Sequence, residues 1–225
     1  DSYWVPVDRL VEEIHDPKTP PSESRRYYLN QIVAAEDAWI TPQQWDVLAL
    51  PAHKPADDAE VVLGFDGSKS DDHTALIACE VETGHLFTLG IWDPERYEGG
   101  EIPREVIDGT VERAFAEYDV VGFYADVHPW ESYVDKWAED HGRDLVVKAT
   151  ARHAVGWDMR GRKQDATFAV EKLYAAIVES DLSHDGHEVF KQHVVNARRA
   201  PNQWGVTIRK ENQGRKIDAA MAAAL

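Results

Sequence analysis

A single cysteine in 225 residues removes disulfides and cysteine-based zinc sites from consideration. That residue, Cys79, falls in an apolar run and reads as a small buried hydrophobe rather than a reactive thiol. Long hydrophobic runs are missing too. None approaches the roughly 20 residues that cross a bilayer, and the opening DSYWVPVDRL has neither the basic nor the apolar region of a signal peptide. No membrane association is expected, and a cytoplasmic location follows as the default. Positive charge is scarce, with 24 Lys and Arg against 41 Asp and Glu and a net charge of −17. Phosphate contacts need cations, which counts against a nucleic-acid partner. Carboxylates that hold a metal, however, inflate the negative count and make a positive site once loaded. A GxxxxGK[ST] phosphate loop is also absent, and the one glycine-rich spot, YEGGE, lacks its lysine and its following helix. What remains is 43% hydrophobic and carries eight tryptophans, enough for one substantial α/β domain plus an appendage.

Residues 1–58 differ in texture from the rest. They are punctuated by prolines at 6, 17, 20, 21, 42, 51 and 55, hold one helical segment, SRRYYLNQIVAAEDAWI, and carry two exposed-looking tryptophans, Trp39 and Trp45. Such a stretch is expected to be a linker or arm, bounded by the polar PAHKPADDAE. From Val61 the pattern is regular. Val61–Phe65, Thr74–Val81 and Leu86–Trp92 read as an antiparallel meander. Helical spacing follows over Arg104–Tyr118, then an apolar strand, VVGFYA, over Val120–Ala125. A helix is expected over Glu131–His141 and a strand over Leu145–Ala149. Helices are expected again over Asp165–Glu179 and Glu188–Ala200, a strand over Trp204–Ile208 and a helix over Ile217–Leu225. Hairpin strands followed by alternating helix and strand imply a mixed sheet with helices on its faces.

Three aspartates sit at ends of these elements: Asp66 closes the first strand, Asp126 the VVGFYA strand, and Asp218 opens the last helix. If the first and fourth strands are neighbours, the two strand-end carboxylates converge and a packed helix can bring the third. Oxygen-only clusters of this kind suit Mg²⁺ or Mn²⁺, and two such ions can activate a water and stabilise the leaving oxygen of a phosphodiester.

The element order and these aspartates resemble the ribonuclease H-like fold, an antiparallel meander plus parallel strands flanked by helices. More closely, GFDGSKSDDHTAL, FYADVHPWE and WGVTIRKENQGRKIDAAMAAAL resemble the C-terminal nuclease domain of the tailed-bacteriophage terminase large subunit. The resemblance covers about residues 60–225, so 59–225 is expected to be the nuclease domain. Residues 1–58 resemble the region that joins it to the family's ATPase domain. The resemblance implies that Asp66, Asp126 and Asp218 are catalytic and ligate one or two Mg²⁺ or Mn²⁺ ions, and that Asp72 reaches a second ion. Asp71 is expected to be a solvated turn residue. It further implies endonucleolytic cutting of concatemeric double-stranded viral DNA with little sequence specificity, in the host cell cytoplasm, by a protein that is not a virion structural component. An ATPase motor domain, a portal and a small terminase subunit are the implied partners of the whole protein, with the motor lying before residue 1. The isolated domain is expected to be monomeric. A ribonuclease H or Holliday-junction resolvase type of nuclease, or a non-catalytic portal or motor docking module, are the competing readings.

DNA contact falls to the cations nearest those aspartates. Arg209, Lys210, Arg215 and Lys216 flank the turn before Asp218, and Arg160, Arg162 and Lys163 cluster in the loop TARHAVGWDMRGRKQD. His128 and Glu131 are expected to be loop and helix-start residues. His184, His187 and His193 fit no standard zinc spacing and read as solvated. Trp137 and Trp204 are expected in the core. The series Asp66, Ser68, Ser70, Asp72 has the start of a calcium loop but neither its sixth-position glycine nor its twelfth-position glutamate.

Overall fold

β-Branched and aromatic residues alternating with smaller ones build a five-stranded mixed sheet from β1 (Glu60–Asp66), β2 (Thr74–Glu80), β3 (His85–Trp92), β4 (Asp119–Ala125) and the short β5 (Ser183–His184). The computed structural model describes Val11 and residues 37–68 and 72–225; Asp71, and all but the last few residues of the helix expected within 24–40, lie outside the described residues. The spatial order is β4-β1-β2-β3-β5, with β1, β2 and β3 an antiparallel meander and β4 running parallel to β1. The meander and the helix-covered parallel strand are as the sequence pattern predicts.

The period of two assigns each strand residue to a face. Val61, Leu63 and Phe65 of β1, with Leu76 and Ala78 of β2, pack under α2 (Arg104–Glu117) and α3 (Glu131–His141), where Phe123, Trp130 and Trp137 complete the layer. Ala75 and Ile77 point the other way, into a layer closed by α4 (Lys163–Glu179), α5 (Glu188–Asn196) and α6 (Asp218–Ala224). β1 meets α6 across Gly64: a Cβ there would overlap the Ala222 carbonyl, so the helix backbone lies directly on the strand. Gly64→Ala should therefore cost about 1–3 kcal/mol and push α6 off the sheet. A urea midpoint equal to wild type would show that the helix is not seated there.

Four expectations are corrected. Trp39 and Trp45 are buried, at 3% and 0% exposure. Trp45 belongs to α1 (Pro42–Asp46), capped by a reciprocal Thr41–Gln44 pair, and stacks on His184 at 4.1 Å with Phe190 edge-on at 5.1 Å. Residues 39–58 thus belong to the same compact unit as the sheet, Trp39–Leu225. The run 145–149 forms only an isolated bridge, Val147 to Gly122. The helix expected to reach Ala200 stops at Asn196, because Arg198–Asn202 (β6) pairs antiparallel with Gly205–Arg209 (β7) as a separate hairpin. Finally, His184 and His193 are buried at 1% and 2% exposure, and only His187 of that trio is exposed.

Candidate active site

The carboxylates meet at the C-terminal ends of β1 and β4. Phe65 pairs with Ala125 in the parallel register, and the Asp126 N–H donates to the Phe65 carbonyl at 2.9 Å, so Asp66 and Asp126 leave adjacent strands side by side. Asp218 arrives as the first residue of α6, which approaches closely because Ala219, Ala220 and Ala222 present almost no side-chain bulk to the sheet. The turn after β1 is pinned by Thr74, whose hydroxyl accepts from Ser68 N–H at 3.1 Å, and the Asp72 N–H donates to Ser68 Oγ at 3.2 Å. Gly67 is required in that turn: a Cβ would run into the Trp130 indole.

Crowding like charges in a poorly solvated place penalises their ionised forms. Burial raises the Asp66 pKa well above the usual carboxylate range, and the charges of Asp218, Asp126 and Asp72 push it further, against a counter-pull from Lys210. Burial and the Asp72 charge raise Asp218 to about 6. Its Oδ2 is buried with no hydrogen-bond partner among the described residues. Asp126, at 7% exposure, is raised by burial and by Asp158, and is restrained by the Met159 N–H, which donates to Oδ1 at 3.1 Å, and by the charge of Arg160.

Asp72 behaves differently. Burial alone would raise its pKa, but Lys210 Nζ donates to Oδ2 at 2.6 Å and Lys216 Nζ to Oδ1 at 2.9 Å, and together they hold it low. Both Asp72 oxygens therefore face ammonium groups, and both lysines are drawn to the edge of the Asp66–Asp218 cluster. Among the described residues, no three His, Cys, Asp or Glu side chains are already arranged at metal-binding geometry. The donor set nonetheless fits a hard divalent cation: oxygen-only, mutually repelling, and with an orphaned buried oxygen on Asp218.

The other expected contact residues fall into two groups. Arg209 and Arg215 are exposed near the lysine pair, and the Arg215 guanidinium donates to Asn196 Oδ1 at 3.2 Å. Arg160, Arg162 and Lys163 line a separate groove on the Asp126 side. His128 and Glu131 are exposed and pair with each other at 3.1 Å.

A histidine chain on the other flank was not legible as such. The Ala219 N–H donates to His193 Nδ1 at 3.0 Å, which leaves the His193 proton on Nε2, 3.1 Å from His73 Nδ1. His73 in turn presents Nε2 to Asp93 Oδ1 at 3.6 Å. Burial, and the nearby charge of His73, lower His193 to about 3, so it is neutral and anchors the first turn of α6. The available signal was its spacing: Phe190, His193 and Val194 share the inward face of α5.

A mixed sheet of this order, with helices on both faces and carboxylates converging where its parallel strands end, defines the ribonuclease H-like class of α/β domains. Within that class the chain has the fold of large terminase nuclease domains. It superposes on the large terminase nuclease of thermophilic phage G20c, solved with bound magnesium, with a TM-score of 0.57 at 13% identity, over 84% of this chain and 96% of that one. It matches the bacteriophage HK97 large terminase with a TM-score of 0.55 at 18% identity, over 98% of this chain and 50% of that one. In sequence it is 44% identical to the Gene 13 protein of Mycobacterium phage L5 over 239 residues, which cover 100% of this chain and 40% of that protein. The chain thus spans about two fifths of the length of that curated relative. No family model matches it.

Proposed function

We propose that this chain is the nuclease domain of a phage DNA-packaging terminase, a divalent-metal-dependent endonuclease acting on concatemeric double-stranded DNA. The observation that carries this reading is the convergence of Asp66, Asp126 and Asp218, with the unpartnered buried Asp218 oxygen, at the end of a sheet of this fold. Asp66, Asp126 and Asp218 would hold one or two Mg²⁺ or Mn²⁺ ions, with Asp72 at the edge of a second position. The bound ion supplies Lewis-acid stabilisation of a phosphodiester oxygen and activation of a water. The protein's own contribution is rigidity. Two carboxylates ride on adjacent hydrogen-bonded strands and the third on a helix seated against Gly64, so little reorganisation is needed when charge develops. Lys210 and Lys216, held by Asp72, stand ready to exchange that partner for a substrate phosphate.

Several parts of the proposal rest on the solved relatives. The G20c nuclease has been solved with magnesium and with cobalt, which supports divalent-ion use. The HK97 large terminase extends well beyond the match, which supports an ATPase motor joined to this domain in the whole protein, with the joining region falling before Trp39. Portal and small-subunit partners, action in the host cytoplasm and a monomeric isolated domain complete the proposal. They follow from the packaging role.

The test is incubation with supercoiled plasmid in Mg²⁺, Mn²⁺ and EDTA. Nicked and then linear DNA is expected with either metal and none in EDTA. Plasmid left intact under every metal would overturn the nuclease reading, and faster cleavage of RNA–DNA hybrid than of duplex would move the substrate to hybrids.

A further inference from the structure

The β6–β7 hairpin has no place in the carboxylate chemistry, yet it is built with care. Its turn carries Trp204, whose backbone N–H donates to Asn202 Oδ1 at 2.8 Å. Two further bonds fasten the hairpin to α4: Asn202 Nδ2 donates to Thr167 Oγ1 at 2.9 Å, and the Val206 N–H donates to Glu171 Oε1 at 2.9 Å. The hairpin therefore holds Trp204 in a fixed place. That place is not the core, contrary to the sequence expectation. Trp204 is half-buried, stacks on no other aromatic ring among the described residues, and forms one wall of an open groove of about 590 Å³. A tryptophan left partly exposed at a groove costs solvation that a folding role does not require.

The rest of the lining is rich in cations. Arg160, Arg162 and Lys163 line the groove, with Asp158 and Asp165 interspersed. Arg162 spends its charge on Asp165 at 3.2 Å, whereas neither Arg160 nor Lys163 makes an ion pair among the described residues. In a chain of net charge −17, two unspent cations beside an aromatic face call for an anionic, flat-faced ligand. The groove is also tied to the carboxylate cluster. The loop that forms it donates the Met159 N–H to Asp126, and Arg160 stands close enough to influence the Asp126 charge.

We propose that this groove is a subsite for one unpaired nucleotide of the DNA strand, its base stacked on Trp204 and its phosphate held by Arg160 and Lys163, next to the phosphate presented at Asp126. The inference rests on the nuclease reading and deepens it. Bases inside a duplex are already stacked on both sides, so a tryptophan face is offered only to a base that has left the stack. The volume suits one small ligand and not a duplex. Stacking is tolerant of base identity, in keeping with cutting of low sequence specificity. The site thus engages a locally opened strand on one side of the cut.

The experiment is fluorescence anisotropy with an end-labelled oligothymidine of about 8 nucleotides and with a blunt duplex, in Ca²⁺ and with the DNA checked for integrity. Wild type, Trp204→Ala and Trp204→Phe are compared. Trp204→Ala should weaken single-strand binding about tenfold, with a smaller effect on the duplex, while Trp204→Phe stays within about twofold of wild type. Thermal midpoints should match for all three. Equal single-strand affinity in the Ala variant, an equal loss on both DNAs, a Phe variant as weak as Ala, or a wild type that does not bind the oligonucleotide would each overturn the subsite. None of these outcomes depends on cleavage, so plasmid cutting by wild type decides the nuclease reading separately.

Discussion

Asp218→Asn should yield a protein that no longer cuts plasmid and yet melts higher than wild type at pH 7. The loss of cutting, at least about 100-fold, is the usual scale for removing one preorganised charged group from a phosphoryl-transfer site. The gain in stability follows from the raised folded-state pKa of Asp218, about 6. A carboxylate whose pKa is higher folded than unfolded binds protons preferentially in the folded state. Its ionisation therefore drains stability as pH rises from the unfolded value near 4 to the folded value, and the deficit is complete above that. Asparagine keeps the shape and removes the charge, so the variant should be more stable by about 1–3 kcal/mol at pH 7, or some 2–10 °C for a unit of this size. The difference should vanish below about pH 4. His193, with its folded pKa lowered to about 3, works in the opposite sense, losing stability as pH falls below the ordinary histidine range. That loss is common to both proteins and cancels in the comparison. Melting curves from pH 4 to 8 in EDTA check the prediction, and a variant less stable than wild type at pH 7 would contradict it. Added Mg²⁺ should raise the midpoint of wild type and leave that of the variant nearly unmoved.

Trp45→Ala should be strongly destabilising, costing about 3–5 kcal/mol. The indole is fully buried, stacks on His184 and meets Phe190 edge-on, so its removal leaves a cavity lined by rings that belong to β5 and α5. Those elements are stitched to the same segment by backbone bonds: Leu50 N–H donates to the His184 carbonyl at 2.7 Å, and His184 N–H to the Leu48 carbonyl at 3.1 Å. The urea midpoint should fall with little change in slope, the signature of lost stability in an intact cooperative unit. A loss below about 1 kcal/mol would return residues 39–50 to the status of an appended arm.

Most of the sheet was legible because its signal is local. β1 to β4 show their period and their turns within a few residues, while the pairing of β1 with β4, a condition the sequence pattern left open, is what the resemblance implied and the sheet order bears out. The two strand-end aspartates came with that pairing. What escaped depends on partners far along the chain. Val146 and Val147 look like a strand, but they are exposed at 78% and 46% and meet β4 in one bridge. Arg198–Asn202 looks like a helix end until β7 offers it a ladder, and Pro201 is tolerated because the hairpin has only edge strands. The lysines that claim both Asp72 oxygens stand 138 and 144 residues away. No local pattern announces such a clamp. Trp45 is the opposite case: its short helix carries a local signal, the Thr41–Gln44 capping box, but lies among prolines that by themselves predict breaks.

The seam at Gly64 also bears on when the site comes into being. β1 can find β2 almost as soon as both are synthesised, whereas α6 cannot take its place until a long stretch of chain has emerged. During that interval Asp66 has no Asp218 beside it, and the sheet closes without the repulsion that the finished cluster imposes. A nascent chain would thus carry two of the three carboxylates and not the assembled cluster. The helix that completes the cluster is admitted last, by the absence of a single methyl group.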